Sequence, residues 1–350
     1  MALKFKQLKD LTDLPFDDII DVRSPSEFAE DHIPGAISLP VLSDEERAVV
    51  GTIYVQDDRF KARRVGATLV ARNAADHIDQ QLSDRDGSWK PLVYCWRGGQ
   101  RSGSFTSILQ QIGWRAEVLE GGYKSYRRLV VKQVYDTELD HRIILLDGNT
   151  GTAKTDILTA LKEAGAQTID LEGMARHRGS LLGGMGEEQP SQKMFEGQVA
   201  MALAKADPAK PVFVEAESNK IGKRIIPPSM WQAMINAPRI TIEASLEART
   251  DYLMRSYVDL IEDRSALIER LDWLRPIRSG ELIDAWCKAV EAGEFETVVR
   301  ELMTEHYDPS YAKSYARRER RELGTVTLPD LDPQTLRDNA VPQVLRLAGL

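Results

Sequence analysis

The chain has 350 residues and a formal net charge of −8. That length exceeds one comfortable core and suits two domains, and 42% hydrophobic with 29% charged residues is an ordinary globular balance. The charge excludes a general polyanion binder but not a local basic groove, because salt screens fields beyond ~8–10 Å. No apolar run reaches the ~18–20 residues of a membrane span, and residues 1–10 lack the apolar stretch of a signal peptide. No membrane partner and a cytoplasmic location are therefore expected. Cys95 and Cys287 are the only cysteines, beside five scattered histidines. A disulfide framework, a four-cysteine zinc site and a structural metal are not expected.

Residues 18–23 (DIIDVR) read as a short buried strand ending in charge. Pro34-Gly35 marks a turn, and residues 36–40 form a second strand. Residues 57–73 have the look of a basic amphipathic helix. Residues 92–94 form an apolar strand that stops at Cys95. A glycine loop follows, with helical spacing over 104–111. Residues 117–119 are a further strand, closed by Gly121-Gly122. Strands alternating with helices imply a parallel sheet with helices on its faces. This first domain spans 1–130. A charged, helical stretch over 124–140 follows, and 131–140 serve as the linker.

The second domain spans 141–350. Residues 143–146 are a continuous apolar strand. It runs into Gly148-Asn-Thr-Gly-Thr-Ala-Lys-Thr155 and a helix over about 154–164. Further strands are expected at 167–171, 211–215, 239–242 and 324–328. A charged helical insertion occupies about 245–320, and a last helix runs from about 333 to 348. The fold class is α/β, with a second parallel sheet that carries a helical insertion.

Cys95 sits in Leu92-Val-Tyr-Cys-Trp-Arg-Gly-Gly-Gln-Arg-Ser102. A thiol becomes a good nucleophile only as its pKa falls, near a helix N-terminus, converging N–H groups or cations. All three are at hand. Gly98 and Gly99 let the backbone curl, Arg97 and Arg101 bring charge, and a helix is expected to start near Ser102 or Ser104. Such a cradle also binds an anion. Two rival readings exist. Cys95 can be a buried strand-ending residue, or Cys95 and Arg101 can be the Cys-x5-Arg of a phosphatase, though Tyr94 stands where such enzymes usually have His.

Gly148–Thr155 fits G-x4-G-K-[ST] except that Ala153 replaces the second Gly. Gly148 and Gly151 shape a strand-to-helix turn whose N–H groups face phosphate. Lys154 neutralises its charge, and the Thr155 hydroxyl can hold Mg²⁺. Ala153 adds a methyl where backbone and phosphate approach, which argues against ATP hydrolysis. Arg176, His177 and Arg178 follow one strand end, where ligands sit in open α/β sheets. Lys220, Lys223 and Arg224 follow another. Each set can neutralise a diphosphate or an RNA backbone, or be a solvated edge. Glu215 ends its strand in a Walker-B-like position and can orient metal-bound water. Tyr307, Tyr311 and Tyr315 precede Arg317, Arg318, Arg320 and Arg321. They form either a base-stacking stripe or a packing face.

Asp21-Val-Arg-Ser-Pro-Ser-Glu-Phe28, His32-Ile-Pro-Gly-Ala36 and Glu120-Gly-Gly-Tyr123 resemble rhodanese signatures, with Asp31 where Gly commonly precedes the His. Asp21, Arg23 and Glu27 then brace the active loop, and His32 is structural. Cys-Trp-Arg-Gly-Gly-Gln-Arg-Ser102 is similar to the loop of tRNA 2-selenouridine synthases. That family also carries a P-loop domain after its rhodanese domain. Leu171-Glu-Gly-Met-Ala-Arg-His-Arg-Gly-Ser180 and Val214-Glu-Ala-Glu-Ser-Asn-Lys-Ile-Gly222 resemble its later segments. The resemblance implies an enzyme that replaces sulfur by selenium at C2 of 2-thiouridine in the wobble position of tRNA. It implies tRNA, at its anticodon region, as partner. Selenophosphate and geranyl diphosphate are implied as co-substrates, with an S-geranyl intermediate and no tightly bound cofactor. Cys95 would serve selenation, while Gly151, Lys154 and Thr155 would hold a diphosphate. The competing expectations are a rhodanese-type sulfurtransferase and an ATP-dependent kinase with a regulatory rhodanese-like module.

Overall fold

The computed structural model describes residues 3–180, 183–184, 188–315 and 321–350. They divide into two compact units, residues 1–138 with 190–205, and residues 139–189 with 206–350. No helix among the described residues is long and apolar enough to cross a membrane.

In the first unit the order is β1 (Asp18–Asp21), α1 (Pro25–Glu30), β2 (Ile37–Ser38), α2 (Asp44–Gln56), α3 (Arg59–Gln80), β3 (Pro91–Tyr94), α4 (Gln100–Ile112), β4 (Glu117–Val118) and α5 (Gly122–Val131). The strands form a parallel sheet in the order β2-β1-β3-β4. β3 lies inside it with every residue buried, as its unbroken apolar run requires. Ile20, Val22, Val93, Phe105 and Leu109 build the core, and Cys95 belongs to it. Two helices differ from expectation. α3 runs seven residues beyond 73, and α2 precedes it. α2 buries no residue, so it leaves no amphipathic trace. Its start is set by a capping box between Ser43 and Glu46. α4 begins at Gln100, just after Gly99 and ahead of the expected Ser102.

In the second unit β5 (Ile143–Asp147) leads through the glycine loop to α6 (Lys154–Glu163), then β6 (Gln167–Ile169) and α7 (Leu171–Ala175). The chain next forms α8 (Gln192–Lys205), which belongs to the first unit. It returns with β7 (Val212–Glu215), the antiparallel pair β8 (Lys220–Ile221) and β9 (Arg224–Ile225), α9 (Pro228–Asn236), β10 (Arg239–Ala244) and α10 (Leu246–Ser256). β11 (Glu322–Leu328) adds the last strand. The sheet is parallel, in the order β11-β10-β5-β7-β6. β5 is central and wholly buried. It therefore delivers the glycine loop to the carboxyl edge, flanked by β10 and β7. Helical segments between Val258 and Tyr315 form the expected insertion. It has a core of its own around Leu267, Leu271, Ile283, Trp286 and Leu302.

The boundary at 130–140 is drawn differently from expectation. α5 continues through a wider helical turn, Lys132–Asp136, that packs on α8 and is no free linker. Tyr135 donates to Glu196 Oε1 (2.6 Å), Gln133 donates to Ala200 O (3.2 Å), and Arg127 pairs with Glu196. Glu196 is buried, and a buried carboxylate needs such partners. Residues 190–205 thus complete the first unit although they lie deep in the stretch assigned to the second.

Candidate functional site

β3 carries Cys95 to the carboxyl end of the first sheet, and the loop after it closes back on β4 and α5. Gly98 has φ +65° and Gly122 φ +55°. A Cβ at Gly98 would lie 2.5 Å from Leu119 O, and one at Gly122 would lie 2.2 Å from Cys95 O. Only glycine permits this approach of backbone to backbone. It lets Tyr123 N–H donate to Cys95 O (2.9 Å) and Lys124 N–H to Trp96 O (3.0 Å).

The Cys95 side chain is 4% exposed. Gly99 N–H (3.3 Å) and the Ser102 hydroxyl (3.2 Å) donate to its Sγ. Burial pushes the thiol up, but these bonds and the Arg101 charge outweigh it, so its pKa falls below the usual thiol value. Arg101 does not touch the sulfur. Glu27 holds it (2.7 Å) and also takes Arg47 (2.9 Å). Asp21 and Arg23 form a buried pair (2.6 Å), and Arg23 also donates to Asp31 O (2.5 Å) and lies 4.0 Å from the Tyr123 ring centre. These charges fasten α1 and α5 beneath the loop. His32 bonds Phe28 O through Nδ1 (2.9 Å) and stacks on the Phe28 ring, a structural placement. Arg97 is exposed, with no side-chain partner among the described residues.

The second loop wraps the N-terminus of α6. Gly148 and Gly151 have φ +147° and +84°, and Ala153 has φ +57°. A glycine position in the usual motif is thus met by alanine in the left-handed region. Its side chain is nevertheless 3% exposed and joins the apolar core with Ile157 and Leu161. Lys154 Nζ donates to Gly148 O (2.9 Å) and the Thr155 hydroxyl to Glu172 Oε2 (3.1 Å). Burial lowers the Lys154 pKa, but Tyr311, Glu217 and Glu172 around it raise it further, so the ammonium stays charged.

A cavity of about 580 Å³ opens on this loop, lined among others by Lys154, Thr155, Glu172, Arg178, Glu217 and Tyr311. Burial and mutual repulsion raise both Glu172 and Glu217, the latter to about 8. The pair therefore holds a shared proton near neutrality, which relieves the negative charge at the cavity wall. Arg178 lies 4.5 Å from the Tyr257 ring centre and supplies a second cation. Against the same cavity stands a narrow apolar slot of about 60 Å³, formed by Leu253, Leu260, Leu267, Phe295, Val298 and Leu302 with others. The two share Thr150, Ser180, Leu253, Tyr257 and Tyr307. Arg249 ties the loop to the insertion. It donates to Thr150 O (2.9 Å) and binds Asp308 with both nitrogens (3.0 and 2.7 Å).

Several expected residues lie elsewhere. Glu215 is fully buried and accepts from the Leu171 and Glu172 amides (3.2 and 3.4 Å), with its pKa pushed well up by burial. It orients α7 and does not line the cavity, where Glu217, two residues on, joins Glu172. Arg176 caps α7 at φ +49°, and neither it nor His177 lines the glycine-loop cavity or the apolar slot. Lys220, Lys223 and Arg224 sit on the β8–β9 pair, outside both linings. Tyr307 and Tyr311 line the cavity on the glycine loop, and Tyr307 also packs against the core of the insertion. The Tyr315 side chain and Arg317, Arg318 and Arg320 lie outside the described residues, while Arg321 is exposed just before β11. Glu172 and Glu217 lie inside the family-like segments 171–180 and 214–222 without being singled out there, and Tyr257 and Asp308 carried no sequence signal.

A thiol of lowered pKa at the end of one parallel sheet and a glycine loop at the end of a second make this a two-domain α/β protein with two candidate sites. The rhodanese-like family profile matches residues 4–129, and the profile described as "tRNA 2-selenouridine synthase AAA domain" matches residues 141–272. A tRNA 2-selenouridine synthase of Hahella chejuensis is 31% identical over 87% of this chain and 86% of its own length. That of Alcanivorax borkumensis is 32% identical over 88% and 91%. That of Nitrosomonas europaea is 36% identical over 72% of this chain and 66% of its own length. The chain belongs to the tRNA 2-selenouridine synthase family.

Proposed function

We propose that the chain replaces sulfur by selenium at C2 of 2-thiouridine in the tRNA wobble position, with geranyl diphosphate and selenophosphate as co-substrates. The observation that carries this reading is the apolar slot adjoining the phosphate-loop cavity. A prenyl diphosphate has both a charged head for the cavity and an apolar tail for the slot. Lys154, Arg178 and the amides of Gly151, Ala153 and Lys154 would hold the diphosphate. Leu253, Phe295 and Leu302 would take the chain. A Mg²⁺ that keeps most of its waters fits Thr155 and Glu172, 3.1 Å apart, and would shield the leaving charge.

In the first reaction the thiouridine sulfur attacks C1 of the geranyl group. The C1–O bond breaks, diphosphate leaves, and the N3 proton is lost to base. S-alkylation turns a poor leaving sulfur into a better one. In the second reaction selenium adds at C2, the C2–S bond breaks and geranyl thiol departs, while water cleaves the P–Se bond and releases phosphate. Cys95 takes part in this step. Its N–H and hydroxyl donors and the nearby Arg101 suit an anionic selenium donor.

The test is incubation of the full chain with thiolated tRNA, geranyl diphosphate and selenophosphate, followed by mass spectrometry of the nucleosides. S-geranyl-2-thiouridine with donor one alone, and 2-selenouridine with both, is the expected result. Selenouridine formed without geranyl diphosphate would remove the alkylation step. Turnover of ATP without tRNA would favour a kinase.

A further inference from the structure

The basic helix near residue 60 has no place in either reaction, and its surroundings are unusual. Val49 (53% exposed), Tyr54 (46%), Val55 (82%) and Phe60 (71%) crowd one stretch of α2 and α3. α2 buries no residue at all. The hairpin is nonetheless firmly based. Val70 and Ala74 of α3 sit in the core that holds Cys95, and a Cβ on Gly66 would come 3.4 Å from Val50, so the two helices pack closely. What projects is therefore an ordered element that carries four exposed apolar side chains within residues 49–60.

Its charge indicates what covers it. Residues 57–73 hold five basic and two acidic residues in a chain of net charge −8, so positive charge is concentrated at the start of α3, while α2 opens on Asp44, Glu45 and Glu46. Lys61 is paired with Asp57 (2.6 Å) and Arg59 lies 5.5 Å from the Tyr54 ring centre. Arg63 and Arg64 are exposed, with no carboxylate partner among the described residues. Phe60 and Arg64 stand four residues apart and share a helix face. Protein interfaces deplete charge at their centre. Single-stranded RNA sites instead set aromatic rings among guanidinium groups, for stacking and for phosphate.

We propose that the α2–α3 hairpin is an RNA-binding surface, with Phe60 and Tyr54 stacking on unpaired tRNA bases and Arg63 and Arg64 gripping phosphates. It rests on tRNA being the substrate. Titration of labelled tRNA with the full chain over a range of salt tests it. Phe60→Ala binds about tenfold more weakly, within the range of one lost base stack. Arg63→Ala/Arg64→Ala binds more weakly at low salt, and its log–log salt slope falls by about 1.4, two phosphate contacts on a single strand. All three side chains are exposed, so circular dichroism and the melting temperature stay unchanged. Affinity within about twofold of wild type, with an unaltered slope, overturns the proposal and transfers the patch to a protein partner. Wild-type chain that binds no tRNA overturns both this surface and the proposed function, whereas tRNA binding unaffected by the variants overturns this surface alone.

Discussion

The cysteine loop and the phosphate loop use one local design, a buried parallel strand turning through glycine into a helix N-terminus, yet they are tuned in opposite directions. Around Cys95 the donors converge on the reacting atom and lower its pKa against the pull of burial. Around Lys154 the acids outnumber the cations, and burial raises Glu172 and Glu217 until they share a proton. The glycines differ too. Gly98 and Gly122 let backbone touch backbone, so the Cys95 loop is closely packed. The phosphate loop tolerates an alanine at φ +57° because its Cβ finds the core. The same turn thus aims hydrogen bonds at a side chain in the first unit and at a cavity in the second, which suits the proposed nucleophile and the proposed diphosphate respectively.

The largest effect expected from this contrast belongs to the sulfur. Cys95→Ser keeps the size and hydrogen bonds but replaces a thiol whose pKa is lowered by its donors with a far weaker acid. Selenium incorporation falls by about a thousandfold or more, while geranylation, assigned to the other loop, continues. Undiminished 2-selenouridine in the variant would exclude Cys95 from the chemistry. Next comes Lys154→Ala, which removes one charge-assisted contact worth roughly 1.5–3 kcal/mol. Geranyl diphosphate binding weakens by about 10- to 100-fold. Unchanged binding by calorimetry would take the diphosphate away from this loop.

These two residues were legible in the sequence because strand, loop and helix that position them are contiguous. Cys95 and Ser102 are seven residues apart, and Lys154 reaches Gly148 across six. Their partners were not, because packing assembles them from distant segments. Thr155 meets Glu172 17 residues on, and Arg249 meets Asp308 59 residues on. Glu215 was the more conspicuous acid, ending a clear apolar strand, but that continuity buries it, and the cavity receives Glu217 two residues later. Both sheets follow from apolar runs of strand length. The return of α8 to the first unit does not, because a helix face carries no address for the surface it covers.

A third expectation concerns the shared proton. Glu217 gives up its proton as pH rises through about 8, adding negative charge beside a bound diphosphate. Affinity for geranyl diphosphate should then fall about tenfold between pH 7 and 9. Glu217→Gln, neutral throughout, should flatten that decline. A decline of the same size in the variant would assign it to another group. A smaller effect is expected at the thiol. Ser102→Ala removes one donor to the sulfur, so less of it ionises at a given pH. The midpoint of Cys95 alkylation by iodoacetamide should move up by about one pH unit. A midpoint that stays put would leave Gly99 and Arg101 to account for the lowered pKa.

The smallest effect tests the tolerance of the phosphate loop for alanine. A left-handed alanine costs roughly 1–2 kcal/mol, but glycine loses more entropy on folding, and burying one methyl contributes about 0.8 kcal/mol. Ala153 is buried among Ile157 and Leu161, so the last term applies in full. These contributions nearly cancel, and Ala153→Gly should change stability by no more than about 1 kcal/mol in denaturant. Ligand affinity distinguishes the two ways of reading the methyl. If it crowds the phosphate, as the motif alone suggests, its removal tightens geranyl diphosphate by tenfold or more, about 1.4 kcal/mol. If it packs in the core, affinity stays within about threefold. The buried placement favours the second outcome. It would make the departure from the usual glycine a matter of how α6 is seated on the sheet, with the choice of ligand left to Lys154, Arg178 and the apolar slot beside them.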